Sequence, residues 1–175
     1  MAAIAPEQLV YFDETGISTQ IARSHGRAPR GQRVDASVPG GWKMVTVLGA
    51  LSLTGMLACM TVEAATDGDV LLDFLDAFLC PKLRPGDVLV MDNLNVHKVE
   101  GVRTRVEAVG ARLLYLPPYS PDLNPIEKAW SKLKQLLRGE NPRSPEAIYQ
   151  AIARIIHKIT AQDAKAWFRL PLHAV

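Results

Sequence analysis

Five apolar runs punctuate the chain, and three of them lead into acids or a stiff turn. Leu9-Val10-Tyr11-Phe12 runs into Asp13-Glu14, Val88-Leu89-Val90-Met91 into Asp92, and Arg112–Leu116 into a proline-rich turn. Such short runs predict buried strands, the first broken by Thr15-Gly16. Lys43–Leu53 and Met56–Val62, around Thr54-Gly55, predict an antiparallel hairpin. Elsewhere the apolar period is helical. Val70, Leu71, Phe74, Leu75, Phe78 and Leu79 mark a helix over 67–83, ended by Pro81, Pro85 and Gly86. Val99–Val109 is a second, with Gly110 as its C′ residue. Ile126, Ala129, Trp130, Leu133 and Leu137 mark a third, from Pro125 to about Arg138 and stopped by Gly139. Pro145–Ile159 is a fourth, with Ile148, Ile152, Ile155, Ile156 and Ile159 on one face. The order predicts an α/β fold, central parallel strands with helices on both faces. Sites in such sheets lie at the carboxyl ends of strands, where Asp13 and Asp92 are expected.

The stretch Leu116-Pro-Pro-Tyr-Ser-Pro-Asp-Leu-Asn-Pro-Ile-Glu127 adds rigid chemistry. Pro117, Pro118 and Pro121 fix three φ angles and remove three donors. Asn124 is a good N-cap, Pro125 suits the first helical position, and Glu127 follows three residues after the cap. Asn-x-x-Glu therefore reads first as a capping box. A cap, however, does not require a proline turn ahead of it, whereas a positioned side chain does.

Length and composition fit one globular domain over residues 1–175, with a helical extension from about 144. Net charge is only +2, but it is unevenly spread. Arg23, Arg27, Arg30, Arg33 and Lys43 face Asp35 alone within 23–43, and a second basic region follows Lys128. Basic flanks beside an acidic centre suit a protein that holds cations and polyanions together. Cys59 and Cys80 make neither a disulfide framework nor a zinc pattern, and no signal or membrane-spanning run is present, so a cytoplasmic location is expected.

Three acids then stand out. Between Asp13 and Asp92 lie 78 residues, and between Asp92 and Glu127 lie 34. Carboxylates gathered at strand ends and a helix start repel one another unless cations sit among them. Hard oxygen ligands select Mg²⁺ or Mn²⁺, and two such ions about 3.5–4 Å apart align a nucleophile on a phosphodiester. Phe12-Asp13-Glu14, Met91-Asp92-Asn93 and Tyr119-Ser-Pro-Asp-Leu-Asn-Pro-Ile-Glu127 resemble the DDE transposases of the Tc/mariner superfamily, in its bacterial insertion-sequence branch. The resemblance covers roughly Leu9 to Arg138. It implies an RNase H-like, retroviral-integrase-like mixed sheet of about five strands flanked by helices. It further implies metal-dependent cleavage at transposon ends and attack of the freed 3′-hydroxyl on target DNA. Asp13 would bridge two metals, with Asp92 and Glu127 holding one each. A homodimer on DNA and a bacterial, nucleoid-associated location also follow from it. Members carry helix-turn-helix modules ahead of the first catalytic strand. Here that strand begins about nine residues from Met1, so a fragment, a relic or a product of a split element is expected, served by a separate N-terminal DNA-binding product.

Other residues have two readings each. Lys134 and Arg138 fall within about 20° of Glu127 on the helical wheel. They form either a ridge of phosphate contacts or a solvated face. Arg27, Arg30 and Arg33 are candidate phosphate clamps in a basic loop. His97 is either a DNA contact beside Asp92 or a satisfied structural histidine. Glu14 faces away from Asp13 by strand alternation. Asn93 either bonds the site backbone or makes a turn, and Asp122 shapes the proline turn. Two other functions stand beside the nuclease: a transposase remnant that binds DNA or a partner subunit without cutting, and a phosphoaspartate hydrolase, because Asp13-Glu-Thr-Gly16 partly matches that family's nucleophile motif.

Overall fold

A computed structural model describes residues 4–22, 28–32, 41–63, 65–118 and 120–168. Five strands form one sheet: β1 (Leu9–Ser18), β2 (Met44–Ser52), β3 (Gly55–Val62), β4 (Val88–Met91) and β5 (Arg112–Tyr115), in the order β3-β2-β1-β4-β5. β1, β2 and β3 are antiparallel neighbours, whereas β1–β4 and β4–β5 are parallel. The helices are α1 (Gly68–Phe74), α2 (Val102–Ala108), α3 (Ile126–Glu140), α4 (Pro145–Ile155) and α5 (Ala161–Trp167). None of them is long and apolar enough to cross a membrane.

Strand alternation divides the core into two layers. Leu9, Tyr11 and Ile17 point to the face covered by α3, α4 and α5, where Trp130, Leu133, Leu137, Ile148, Ile152 and Ile155 are buried. Val10 and Phe12 point to the face covered by α1 and α2, with Leu71, Phe74, Val102 and Val106. The apolar stripe expected of α3 is the one observed, all five residues being buried.

Several boundaries differ from expectation. β1 does not break at Thr15-Gly16, because β2 pairs with it through Thr15↔Val47 and Gly16↔Thr46 as far as Ser18. The first helical arm changes pitch: Leu75–Leu79 forms a π turn, and a 3₁₀ turn follows at Cys80–Lys82. Phe78, expected on the buried face, is consequently 39% exposed and stacks on Phe74. Gly110 serves as C′ of α2 at φ 79°, Ala111 N–H reaching Val106 C=O. α3, by contrast, runs through Gly139, and Asn141 at φ 52° takes the left-handed position that ends it. α4 tightens after Ile155 into a 3₁₀ turn, Ile156–Lys158.

A second capped helix then locks this layer. Thr160 and Asp163 form a capping box at α5, and Asp163 Oδ2 also accepts from Lys132 Nζ of α3 at 2.6 Å. The Lys132 hydrogen bond and the Thr160 N–H hold the Asp163 carboxyl down at about 2. A depressed acid stabilises the fold above its ordinary pKa of 3.8 and loses that contribution as pH falls through about 2. Asp163→Asn is therefore expected to cost about 1 kcal/mol at neutral pH. The difference in melting temperature between variant and wild type should shrink between pH 4 and 2. A pH-independent difference would mean that charge is not what Asp163 contributes.

Candidate active site

The parallel register places the first two acids side by side. Tyr11 pairs with Val90, so two residues on Asp13 draws level with Asp92, just beyond the end of β4. Asp13 is not the last residue of its strand; it lies mid-strand, opposite Gly49 of β2. Glu127 comes from the first turn of α3, which crosses the same face. That helix is seated by Trp130, whose ring lies over Gly49: a Cβ there would stand 2.4 Å from Trp130 Cη2. The resulting cavity, of about 340 Å³, is lined by Asp13, Asp92 and Glu127 together with Asn93, Leu94, Leu116, Pro117, Pro118, Ser120, Pro121 and Asn124. The proline turn is thus a wall of the cavity and sets where α3 begins.

The electrostatics follow from this crowding. Asp13 is only 8% exposed. Burial pushes its carboxyl up to about 7, opposed by the Glu14 N–H and reinforced by the negative charges of Glu127, Glu14 and Asp92. Asn124 is not the side-chain cap that the sequence predicts. No side chain caps α3, and Asn124 Oδ1 is buried without a hydrogen-bond partner. The capping box is therefore not formed, and Asn124 is buried instead. Among the described residues no three His, Cys, Asp or Glu side chains close tightly enough to hold an ion by themselves. The donor set nevertheless fits a hard divalent cation: three carboxylates share one cavity, and no sulfur lines it.

The other candidates divide. Asn93 lines the cavity. Glu14 does face away from Asp13, and it meets His97 on the α1 side: His97 Nε2 lies 2.9 Å from Glu14 Oε2, and His97 Nδ1 contacts Asp92 Oδ1. The expectation that His97 touches DNA is corrected, because its side chain has no exposed surface and sits edge-on against Phe12. Burial lowers the His97 pKa, but the Glu14 hydrogen bond and the charges of Glu14 and Asp92 more than offset this and raise it. Arg30, Arg138 and Asp122 are exposed and Lys134 is half-buried; none lines the cavity. Arg27 and Arg33 lie outside the described residues. The phosphoaspartate alternative requires a loop after Asp13, yet Glu14-Thr15-Gly16 stays within β1. Sequence reading missed Gly49 and the Glu14–His97–Asp92 chain, which join residues far apart in the sequence without a local pattern. Asn124 was visible, but as a cap.

Comparison with known proteins agrees with this geometry. The model of the DDE superfamily endonuclease family matches residues 8–148. No curated protein matches by sequence. Among solved structures, the Mos1 transposase paired-end complex with left transposon end aligns with a TM-score of 0.76 at 16% identity, over 93% of this chain and 52% of that one. The Mos1 mariner paired end complex with Mn aligns at 0.74 and 17%, over 94% and 52%. The catalytic domain of Mos1 mariner transposase aligns at 0.68 and 15%, over 93% and 76%. The chain spans about half the length of the first two. These likenesses show an RNase H-like fold, and the family match over residues 8–148 shows that the chain belongs to the DDE superfamily endonucleases.

Proposed function

We propose that the chain is the catalytic portion of a transposase, which hydrolyses DNA phosphodiesters at transposon ends and transfers the 3′-hydroxyl into target DNA. The observation that carries this reading is the single cavity shared by Asp13, Asp92 and Glu127, which come from β1, the end of β4 and the start of α3. These three would hold Mg²⁺ or Mn²⁺. When bound, such cations supply Lewis acidity that activates a water or hydroxyl and stabilises the leaving oxygen. Asp13, at the floor, carries a proton near neutrality that must leave before it can ligate. Asp92 and Glu127, more exposed at the rim, stand where a DNA backbone approaches. The Pro117-Pro118 wall holds the rim against a polyanion that pulls on it.

Arg30, Lys134 and Arg138, with Arg27 and Arg33, would contact phosphates outside the cavity. Recognition of the ends by a helix-turn-helix module, a homodimer and a bacterial, nucleoid-associated location belong to the same reading. Supercoiled plasmid is expected to be nicked with Mg²⁺ or Mn²⁺ and to stay intact in EDTA or with Asp92→Asn. Equal nicking by wild type and Asp92→Asn would leave a DNA-binding remnant as the better reading.

A further inference from the structure

Asp92 follows the last residue of β4 and belongs to no regular element, so its carboxylate has no strand pairing to orient it. The structure supplies the restraint from behind the sheet. Asp92 Oδ1 accepts from Leu94 N–H at 3.2 Å and is in contact with His97 Nδ1. No described residue bonds Oδ2. His97 is itself fixed on three sides. Its Nε2 meets Glu14 Oε2 at 2.9 Å, its ring stands 79° to that of Phe12 with centroids 5.3 Å apart, and its carbonyl accepts from Tyr115 Oη at 2.7 Å. Consecutive residues of β1 therefore have separate tasks: Asp13 lines the cavity, and Glu14 reaches through the other face to hold the imidazole.

We infer that His97 is a positioning residue: anchored by Glu14, it engages Asp92 Oδ1 and so determines that Oδ2 is the oxygen Asp92 offers to the cavity. The ring spans the ends of β1 and β4 and couples the orientation of the second acid to the strand carrying the first. Outer partners of this kind orient a ligating carboxylate and typically change metal affinity by about 10–100-fold when removed. The inference rests on the metal-dependent reading above.

The two ring nitrogens make the test specific. An asparagine amide reaches the place of Nδ1, whereas a glutamine amide reaches that of Nε2. His97→Asn should keep the half-saturating Mn²⁺ concentration for plasmid nicking within about threefold of wild type, while His97→Gln and His97→Ala raise it by about 10–100-fold. Glu14→Gln, at a partly exposed position, keeps an oxygen for Nε2 and should, like His97→Asn, stay within about threefold. A histidine that only fills space would give the reverse order, since glutamine is closer to it in volume. A metal-free readout separates the two hypotheses. In ¹⁵N spectra of the apo protein, the His97 ring resonances should shift on both Glu14→Gln and Asp92→Asn. If they shift but wild type neither binds Mn²⁺ nor nicks DNA, the clamp stands and the nuclease reading falls. If wild type nicks DNA and His97→Gln matches His97→Asn, or the ring resonances ignore both changes, the positioning role is overturned.

Discussion

Asp13→Asn is expected to melt higher than the wild type in EDTA at pH 8, to melt lower than it once Mn²⁺ is added, and to lose Mn²⁺-dependent strand cleavage. The reasoning starts from burial. The Asp13 carboxyl is pushed up to about 7 from an ordinary 3.8, by desolvation first and by its carboxylate neighbours second. The native state thus binds this proton more tightly than the unfolded chain does. Between about pH 4 and 7 the unfolded state has released it and the native state has not, so stability falls as pH rises. Above pH 7 the metal-free protein carries the full penalty of a buried anion, on the order of 4 kcal/mol. The neutral isostere escapes that penalty, which corresponds to a gain of roughly 8–16 °C for a chain of this size. It also surrenders the cation that would compensate the charge, so Mn²⁺ should stabilise wild type alone. Thermal melts with EDTA and with Mn²⁺ check this. The assignment of Asp13 fails if the variant is the less stable of the two in EDTA, or if Mn²⁺ raises both equally.

Gly49→Ala should be nearly as damaging to cleavage although residue 49 carries no chemistry. Its Cβ would stand 2.4 Å from Trp130 Cη2 and 3.3 Å from Met56 Sδ. Side chains do not approach so closely, and the indole is enclosed, with Nε1 buried and unpartnered. The helix must shift, and Glu127 lies one turn before Trp130 on it. Overpacking of this kind costs about 1–3 kcal/mol, or roughly 2–10 °C in melting temperature. A displacement near 1 Å at a reacting group costs about a hundredfold in rate. Plasmid nicking and melting should therefore both fall in Gly49→Ala and both recover in part when Trp130→Phe is added, because the shorter ring vacates the space. If Gly49→Ala cleaves like wild type, α3 is not held in place by this contact.

Much of the site was legible because its parts carry strong local chemistry. Asp13 and Asp92 terminate or punctuate apolar runs, and the proline turn announces a fixed start for the helix that bears Glu127. The α/β layering was legible for a similar reason, since the apolar periods name five strands and the helices between them, whereas the RNase H-like assignment came with the family resemblance. What could not be read depends on contacts between distant segments. Thr15-Gly16 looks like a break until β2 supplies the hydrogen bonds that extend β1 past it. Asn124 has every local property of a cap, yet its side-chain oxygen is buried without a partner instead. His97 could be read either as a DNA contact or as a satisfied structural histidine, and only the fold supplies the partner that decides, Glu14, 83 residues away.

The sheet order has a consequence for how the protein comes into being. β1, β2 and β3 join by connections along one continuous segment, whereas β1 must wait for β4, a partner 79 residues downstream at Tyr11↔Val90. Parallel pairing across such a distance is intrinsically slow. During synthesis a half-made chain already owns a hairpin and its first acid, but it has nowhere to assemble the cavity. The cavity is thereby completed only when the last of the three carboxylates has emerged and docked.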